Sequence, residues 1–154
     1  MKLNPNDLEE ITALTLEYYN RHAEDFFEGT HDHDVGQNIA ALLRYIETEP
    51  PYTLLDFGCG PGRDLKAFAG LGHRAVGLEG GVRFAAMART YSGCEVWEQD
   101  FIKLDLPAGH FDGVFANAAP FQPSSSCPCG LELNSTPRGF RLACNFSSRH
   151  GSPW

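Results

Sequence analysis

The chain has 154 residues, 42% of them apolar, which suits one domain with a hydrophobic core and excludes a disordered segment. Its formal charge of −8 disfavours nucleic acid as a partner, because an acidic surface repels phosphate backbones. There is no membrane-length apolar run, no signal-peptide pattern and no disulfide framework among the five irregularly spaced cysteines, so we expect a cytoplasmic protein without membrane contact.

The first fifty residues are predicted to form two amphipathic helices. Helical spacing of apolar side chains indicates one helix over residues 6–28. Its apolar side is expected to comprise Leu8, Ile11, Leu14 and Tyr18, extended by Tyr19, Phe26 and Phe27. The polar stretch 31–34 predicts a loop. A second helix begins near Ile39 and stops before Pro50-Pro51, because proline cannot continue a helix.

From residue 52 onward, short apolar strands alternate with helices. Strands are predicted over 52–57, 73–78, 94–97 and 111–116, and helices over 64–69 and 82–91. This alternation implies βαβ units and a parallel sheet. The fold class is therefore α/β, with a mostly parallel sheet, flanking helices and no complete set of strands after the fourth.

The composition changes near residue 119. The last part of the chain is rich in Pro and Ser and holds three of the five cysteines, and its only acidic residue is Glu132. No helical or strand periodicity is sustained there. We expect residues 119–154 to form an atypical, irregular tail.

The segment that carries chemical information lies directly after the first predicted strand. There, Asp56 is followed by glycines at alternate positions, Gly58, Gly60 and Gly62, and then by a helix. Glycine permits positive φ and lets the backbone come close to a ligand, and the free N–H groups of the next helix point back at that ligand. These glycines are predicted to cradle a cofactor.

The pattern favours a cationic cofactor over a dinucleotide. A dinucleotide fingerprint needs a third glycine where Arg63 stands, so that match fails. The carboxylate of Asp56, two residues before Gly58, would repel a pyrophosphate but suits a ligand with an ammonium and a sulfonium. A nicotinamide-dependent oxidoreductase remains as a less favoured alternative.

The string Leu-Asp-Phe-Gly-Cys-Gly-Pro-Gly resembles motif I of the class I S-adenosylmethionine-dependent methyltransferases. The resemblance runs through about residues 15–118 and is strongest to the small-molecule, quinone-biosynthesis-like branch. It implies a Rossmann-like fold, S-adenosylmethionine as cofactor and methyl transfer to a small-molecule acceptor. It also places Cys59 in the cofactor cradle and implies no catalytic residue that can be named.

The resemblance implies further cofactor contacts along the chain. Glu79, followed by Gly80, ends the second strand, where a carboxylate can accept hydrogen bonds from both ribose hydroxyls. By the same resemblance, Asp100 would face the adenine amino group with Phe101 against the ring, and Asn117 would stand beside the reacting methyl group. For Glu79, Asp100 and Asn117, the alternative is an ordinary surface or loop role.

The N-terminal helix resembles the one that lies over the cofactor in small-molecule members of the family, and Tyr19 is its candidate contact. Ordinary packing is the alternative for Tyr19. The chain is thus divided into helices that cover the cofactor site (1–50), a cofactor-binding core (51–118) and the tail (119–154).

The tail departs from the family pattern, and we hypothesise a truncated or frameshifted C-terminal part. A non-catalytic remnant that binds the cofactor without turnover is therefore a second reading. A metal site is not predicted: His31-x-His33 and Cys127-x-Cys129 could supply ligands, but no second pair stands at zinc spacing.

Overall fold

The structure is a computed structural model and describes residues 5–101, 103–117 and 141–144. Its helices are α1 (Pro5–Arg21), α2 (Ala23–Thr30), α3 (Gly36–Arg44), α4 (Arg63–Gly70) and α5 (Val82–Ser92). Its strands are β1 (Thr53–Phe57), β2 (Arg74–Glu79), β3 (Glu95–Glu98), β4 (Gly113–Ala116) and β5 (Arg141–Cys144). The pair Cys127-x-Cys129 and most of the predicted tail lie outside the described residues.

The strands form one sheet in the order β3-β2-β1-β4-β5, and every neighbouring pair is parallel. The α/β class with a parallel sheet is therefore confirmed. The sheet also continues past the fourth predicted strand. Residues Gly113–Ala116 of β4 pair with Arg141–Cys144, which lie in the part of the chain expected to be irregular.

The N-terminal helix differs from its prediction in length and in the face it buries. The expected helix over 6–28 is broken at His22, where φ is −112° and ψ is 20°. Part of the predicted apolar side faces solvent, since Leu8, Ile11, Leu14 and Tyr18 are 40–60% exposed, whereas Tyr19, Phe26 and Phe27 are partly buried. The contacts of α1 are made by other residues. Leu16 lies against Gly80 after β2, and Asn20 accepts the N–H of Arg83 in α5. Helical periodicity identifies an apolar stripe, but it does not say which stripe the rest of the fold covers.

The core has two parts, one on each face of the sheet. On one face, α3, α4 and α5 pack over the strands, with Leu54, Leu65 and Phe68 fully buried. On the other face, Leu55 and Val76 are covered by partly buried residues of β1, of β3 and of the loop after β3. Within the described ranges, helices therefore shield only the first face. No helix in those ranges is long and apolar enough to cross a bilayer.

Candidate functional site

A tight turn joins β1 to α4 at the carboxyl edge of the sheet. The backbone N–H groups of Gly58 and Cys59 donate to the carbonyl of Leu78 at 2.8 and 3.1 Å, which fixes the turn against β2. All three glycines of the motif have positive φ, and at Gly62 (+96°) a Cβ would lie 2.8 Å from Cα of Ala88. Only glycine allows this turn to adopt its conformation and α4 to approach α5 so closely.

Glu79, at the end of β2, links two glycine turns. Its Oε2 accepts the N–H of Gly60 and its Oε1 accepts the N–H of Gly81, both at 2.9 Å. Burial raises the pKa of Glu79, while the backbone N–H donors act in the opposite direction. The carboxylate offers about four lone-pair sites, and the backbone N–H groups of Gly60, Gly80 and Gly81 do not occupy all of them, so a site remains for a ligand hydroxyl. The predicted proximity of Glu79 to the glycine turn is thus present.

Asp56 is buried at the end of β1, directly under the turn, and is 1% exposed. Its Oδ2 has no hydrogen-bond partner among the described residues. Burial raises the pKa of Asp56 well above its usual value, and the nearby charges of Asp64 and Glu79 raise it further. An orphaned buried carboxyl oxygen is costly, which makes this position suited to a ligand that donates or carries positive charge.

Asp64 is a residue of this site that the sequence did not single out. It stands in the first turn of α4, is 6% exposed, and forms an ion pair with Arg63 at 2.7 Å. Its Oδ2 also accepts a hydrogen bond from Nδ2 of Asn117 at 3.4 Å, so α4 and the end of β4 meet there. The available signal was a carboxylate two residues after the last glycine of the motif.

The buried charges of the site share one sign. Asp56, Asp64 and Glu79 are the charged side chains that the structure buries among the residues it describes. All three lie at the carboxyl edge, and Asp64 is the one with an ion pair to a cation. A cluster with this charge balance attracts a cation and repels a diphosphate.

The end of β3 contributes the next part of the site. Phe101 stacks on Phe57 with ring centroids 4.8 Å apart, and its ring lies 4.0 Å from where a Cβ of Gly58 would stand. Asp100 and Gly80 line a cleft of about 330 Å³ beneath α1. Phe101 and Glu79 therefore lie against the glycine turn, and Gly80 and Asp100 line the neighbouring cleft.

Helices α1 and α2 lie over this crevice. The ring of Phe26 is 3.9 Å from the Cβ position of Gly60, and Leu16 is 3.4 Å from that of Gly80. Tyr19 belongs to the same aromatic cluster, 6.3 Å from the ring of Phe26. The sequence singled out Tyr19 but missed Phe26 and Leu16, because periodicity alone does not say which side chain reaches the turn.

Cys59 belongs to the glycine turn through its backbone, and its side chain is not a reactive thiol. Its Sγ lies 2.7 Å from where a Cβ of Gly77 would stand, in the core between the sheet and α4. Burial raises the pKa of this thiol well above the ordinary range, so it stays protonated. His31 uses Nδ1 on backbone carbonyls of α2. Among the described residues, no group of three His, Cys, Asp or Glu side chains could hold a metal ion.

The strand order explains why these groups meet. The chain runs outward from β1 to β2 and β3 and then crosses back to β4 on the other side of β1. The carboxyl ends of β1 and β4 therefore flank a topological switch point, where open α/β sheets bind ligands. Asp56 and Asn117 stand at this point, and Glu79 and Asp100 extend the crevice along β2 and β3. The arrangement can hold an elongated ligand with a cationic end.

A comparison with protein families matches residues 54–128 to a methyltransferase domain. Among curated proteins, a malonyl-[acyl-carrier protein] O-methyltransferase of Legionella pneumophila subsp. pneumophila is 30% identical over 126 residues. The match covers 75% of this chain and 43% of the Legionella protein, so the chain spans less than half the length of that relative.

Solved structures share the fold. The Haemonchus contortus phosphoethanolamine N-methyltransferase 1, solved with S-adenosylhomocysteine, has a TM-score of 0.56 at 14% identity over 74% of this chain and 26% of its own. The magnesium protoporphyrin IX methyltransferase of Synechocystis has a TM-score of 0.55 at 18% identity over 68% of this chain and 57% of its own. A Haloferax volcanii putative methyltransferase in complex with the Trm112 activator has a TM-score of 0.53 at 24% identity, covering 66% and 46%. At these identities the likeness concerns the fold.

Proposed function

We propose that the chain is an S-adenosylmethionine-dependent methyltransferase, which binds this cofactor and transfers its methyl group to a small-molecule acceptor; its match to a methyltransferase domain over residues 54–128 supports this. The observation that carries the proposal is the buried carboxylate cluster beside the glycine turn. Two of its members, Asp56 and Glu79, form no ion pair among the described residues, and the nearby charge of Arg63 only partly offsets that of Asp56. A cofactor with an ammonium and a sulfonium supplies the missing positive charge.

The residues of the crevice fit such a cofactor. The lone pairs left on Glu79 are available to ribose hydroxyls, and the orphaned Oδ2 of Asp56 is available to a donor. We propose that Asp100 holds the adenine amino group, that Phe101 lies against the ring, and that Asn117 stands near the methyl group. The backbone of Gly58, Cys59, Gly60, Gly62 and Gly80 and the ring of Tyr19 complete the proposed set.

The cofactor, when bound, supplies a methyl group already activated by the sulfonium, so the protein needs no strong chemistry of its own. The residues of this chain need only align the acceptor with the methyl group and exclude water from the crevice. The glycine turn and Glu79 fix one end of the crevice, and Leu16 and Phe26 of α1 and α2 shield it from solvent. No side chain is assigned as a general base.

The domain division follows from the same contacts. We propose that residues 1–50 cover the cofactor site and that residues 51–118 form the cofactor-binding core. The tail, 119–154, supplies at least the strand Arg141–Cys144 to the sheet. A small-molecule acceptor, a cytoplasmic location and the absence of nucleic-acid binding are part of the proposal, supported by the charge of −8 and the free thiols of Cys59 and Cys94.

The test is calorimetric titration of the whole chain with S-adenosylhomocysteine and, separately, with NADH. We expect the first to bind and the second not to bind, because the buried carboxylates repel a diphosphate. Binding of NADH alone would overturn the proposal in favour of an oxidoreductase.

A second candidate is cofactor binding without turnover, favoured by the observation that the chain spans 43% of its Legionella relative. Turnover separates the two candidates. Transfer of a labelled methyl group to malonyl-acyl carrier protein, the acceptor named for that relative, supports the enzyme, as does transfer to a free small molecule. Cofactor binding with no methyl transfer to any acceptor supports the remnant.

A further inference from the structure

We propose that Arg63 and Asp64 form a positioning pair that fixes the orientation of the Asn117 side-chain amide toward the methionyl end of the cofactor. This inference rests on the proposed function. It assigns a role to two residues that motif I itself does not explain.

The pair is a tightly defined unit at the start of α4. The guanidinium of Arg63 donates to both oxygens of Asp64, from Nε at 2.7 Å and from Nη2 at 3.1 Å. Its Nη1 donates to the carbonyl of Thr30 at the end of α2, at 3.2 Å. The side chains are 21% and 8% exposed, so solvent screens the bidentate pair little. Asp64 is thereby held in one position between α2 and β4.

The second contact of Asp64 determines which way Asn117 faces. Nδ2 of Asn117 lies 3.4 Å from Oδ2 of Asp64. An ionised carboxylate can only accept hydrogen bonds, so it selects the NH₂ end of the amide and turns the carbonyl oxygen of Asn117 away. The two hydrogen bonds from Arg63 hold the carboxylate of Asp64 in place for this contact.

The position of Asn117 in the sheet indicates which part of the cofactor its carbonyl oxygen meets. Asn117 follows β4 and Asp56 is in β1, so both stand at the switch point where the ligand crevice lies. Arg63 neutralises Asp64, so Asp64 contributes orientation rather than net attraction there. Asn117 lies two residues beyond Phe115, the β4 residue that pairs with Asp56, so its oriented amide oxygen and the unpaired carboxyl oxygen of Asp56 can both accept from the ammonium group that the methionyl end of the cofactor carries.

The variant Asp64→Asn removes the selection while keeping the size of the side chain. The new amide presents its own NH₂ to Asn117 or to Arg63, and the Asn117 carbonyl is no longer held toward the crevice. We expect S-adenosylhomocysteine to bind at least about tenfold more weakly, the usual cost of losing one hydrogen bond to a charged group. 5′-Methylthioadenosine, which lacks the amino acid part, should bind with unchanged affinity.

The experiment is calorimetric titration of the whole chain with these two probes, in the wild type, D64N, N117L and the double variant. Glu98→Gln, an exposed carboxylate at the end of β3, is the matched control and should bind both probes like the wild type. If Asp64 acts through Asn117, the double variant loses no more affinity than N117L alone.

The outcomes separate the two proposals. A wild type that binds neither probe contradicts the proposed function itself. A wild type that binds S-adenosylhomocysteine, with D64N equally tight or weakened equally for both probes, overturns the positioning pair. If D64N does not fold, the test rests on N117L. This variant must then bind S-adenosylhomocysteine more weakly than the wild type and bind 5′-methylthioadenosine with unchanged affinity.

Discussion

Two buried carboxylates, those of Glu79 and Asp56, have different effects on this site. Glu79 accepts two backbone N–H groups from different turns, one of them within the glycine motif and one at the start of α5. The same carboxylate therefore shapes the site and is proposed to bind the ribose. Asp56 makes a different contribution, because its buried, partly unsatisfied carboxyl destabilises the fold in return for a cation site.

The first prediction concerns Glu79→Gln. Glutamine has one acceptor oxygen and one NH₂, so the N–H of Gly60 or of Gly81 loses its acceptor and one ribose contact is lost. We expect at least about a tenfold loss of affinity for S-adenosylhomocysteine by calorimetry. Glu98→Gln, at the end of the neighbouring strand, serves as the control. Unchanged affinity in E79Q would remove Glu79 from the site.

The second prediction concerns pH and Asp56. Its pKa is raised in the folded state, so the native protein keeps a proton that the unfolded chain releases near the ordinary value of 3.8. The stability from this group is full below that value and is lost as pH rises toward the folded pKa. Asp56→Asn cannot titrate, so the melting temperature of D56N should rise relative to the wild type as pH increases from about 4 to about 8. A difference in Tm between D56N and the wild type that stays constant across that pH range would contradict the raised pKa of Asp56.

At the scale of the elements, the packing of α4 and α5 depends on the turn between β1 and α4. Gly62 lies where the two helices approach most closely, and Asn20 of α1 reaches the start of α5. The N-cap residue Gly81 has no side chain to cap α5, so an N–H of its first turn is satisfied from a different helix.

The third prediction is that Gly62→Ala destabilises the fold by about 2–5 kcal/mol, from a strained left-handed backbone and a clash with Ala88. Thermal unfolding should show a drop of roughly 5–15 °C in Tm for a chain of this size. Gly70→Ala is the control, because a Cβ there meets nothing within 4 Å. It should be neutral or stabilising by up to about 1 kcal/mol. Equal effects at both positions would refute the close approach.

The fourth prediction is that Asn20→Ala loosens the contact between α1 and the start of α5. Its Oδ1 accepts the N–H of Arg83 at 3.2 Å, and losing a cap of this kind costs about 1 kcal/mol. Amide hydrogen exchange should accelerate at Arg83 and along α1, while β1 and β2 stay protected. Glu10→Ala, an exposed change on the same helix, should leave exchange unaltered. Uniform acceleration throughout the sheet would mean that α1 and the core unfold together.

At the scale of the molecule, the sheet is protected by helices on one face in the described ranges, and the buried carboxylates add a cost to folding. A bound cation would offset the cost of the buried carboxylates, so the fold is expected to gain stability when its cofactor binds.

The fifth prediction is that S-adenosylhomocysteine at about 100 times its Kd raises the free energy of unfolding by about 2.7 kcal/mol. The corresponding rise in Tm is roughly 5–11 °C for a chain of this size. NADH at the same concentration serves as the control and should leave Tm unchanged. A Tm that responds to neither compound would contradict the proposed cofactor.

The sequence alone determined the class of fold and the first half of the site. The alternation of strands and helices predicts a parallel sheet, and Asp56, the glycine turn and Glu79 stand at fixed distances along the chain that only a strand-turn-helix unit can satisfy. These are local features, since strand periodicity, positive φ and the residue at a strand end depend on near neighbours. The contacts of Gly60 and Gly81 with Glu79 confirm that the turns meet there.

Tertiary structure alone decided which distant side chains reach the site. The face that α1 buries, the position of Phe26 over Gly60, the contact of Asp64 with Asn117 and the pairing of Arg141–Cys144 with β4 all join residues far apart in the chain. Periodicity fixes how often an apolar residue recurs but not what it packs against. Those choices depend on the strand order, which is set by packing of the whole sheet.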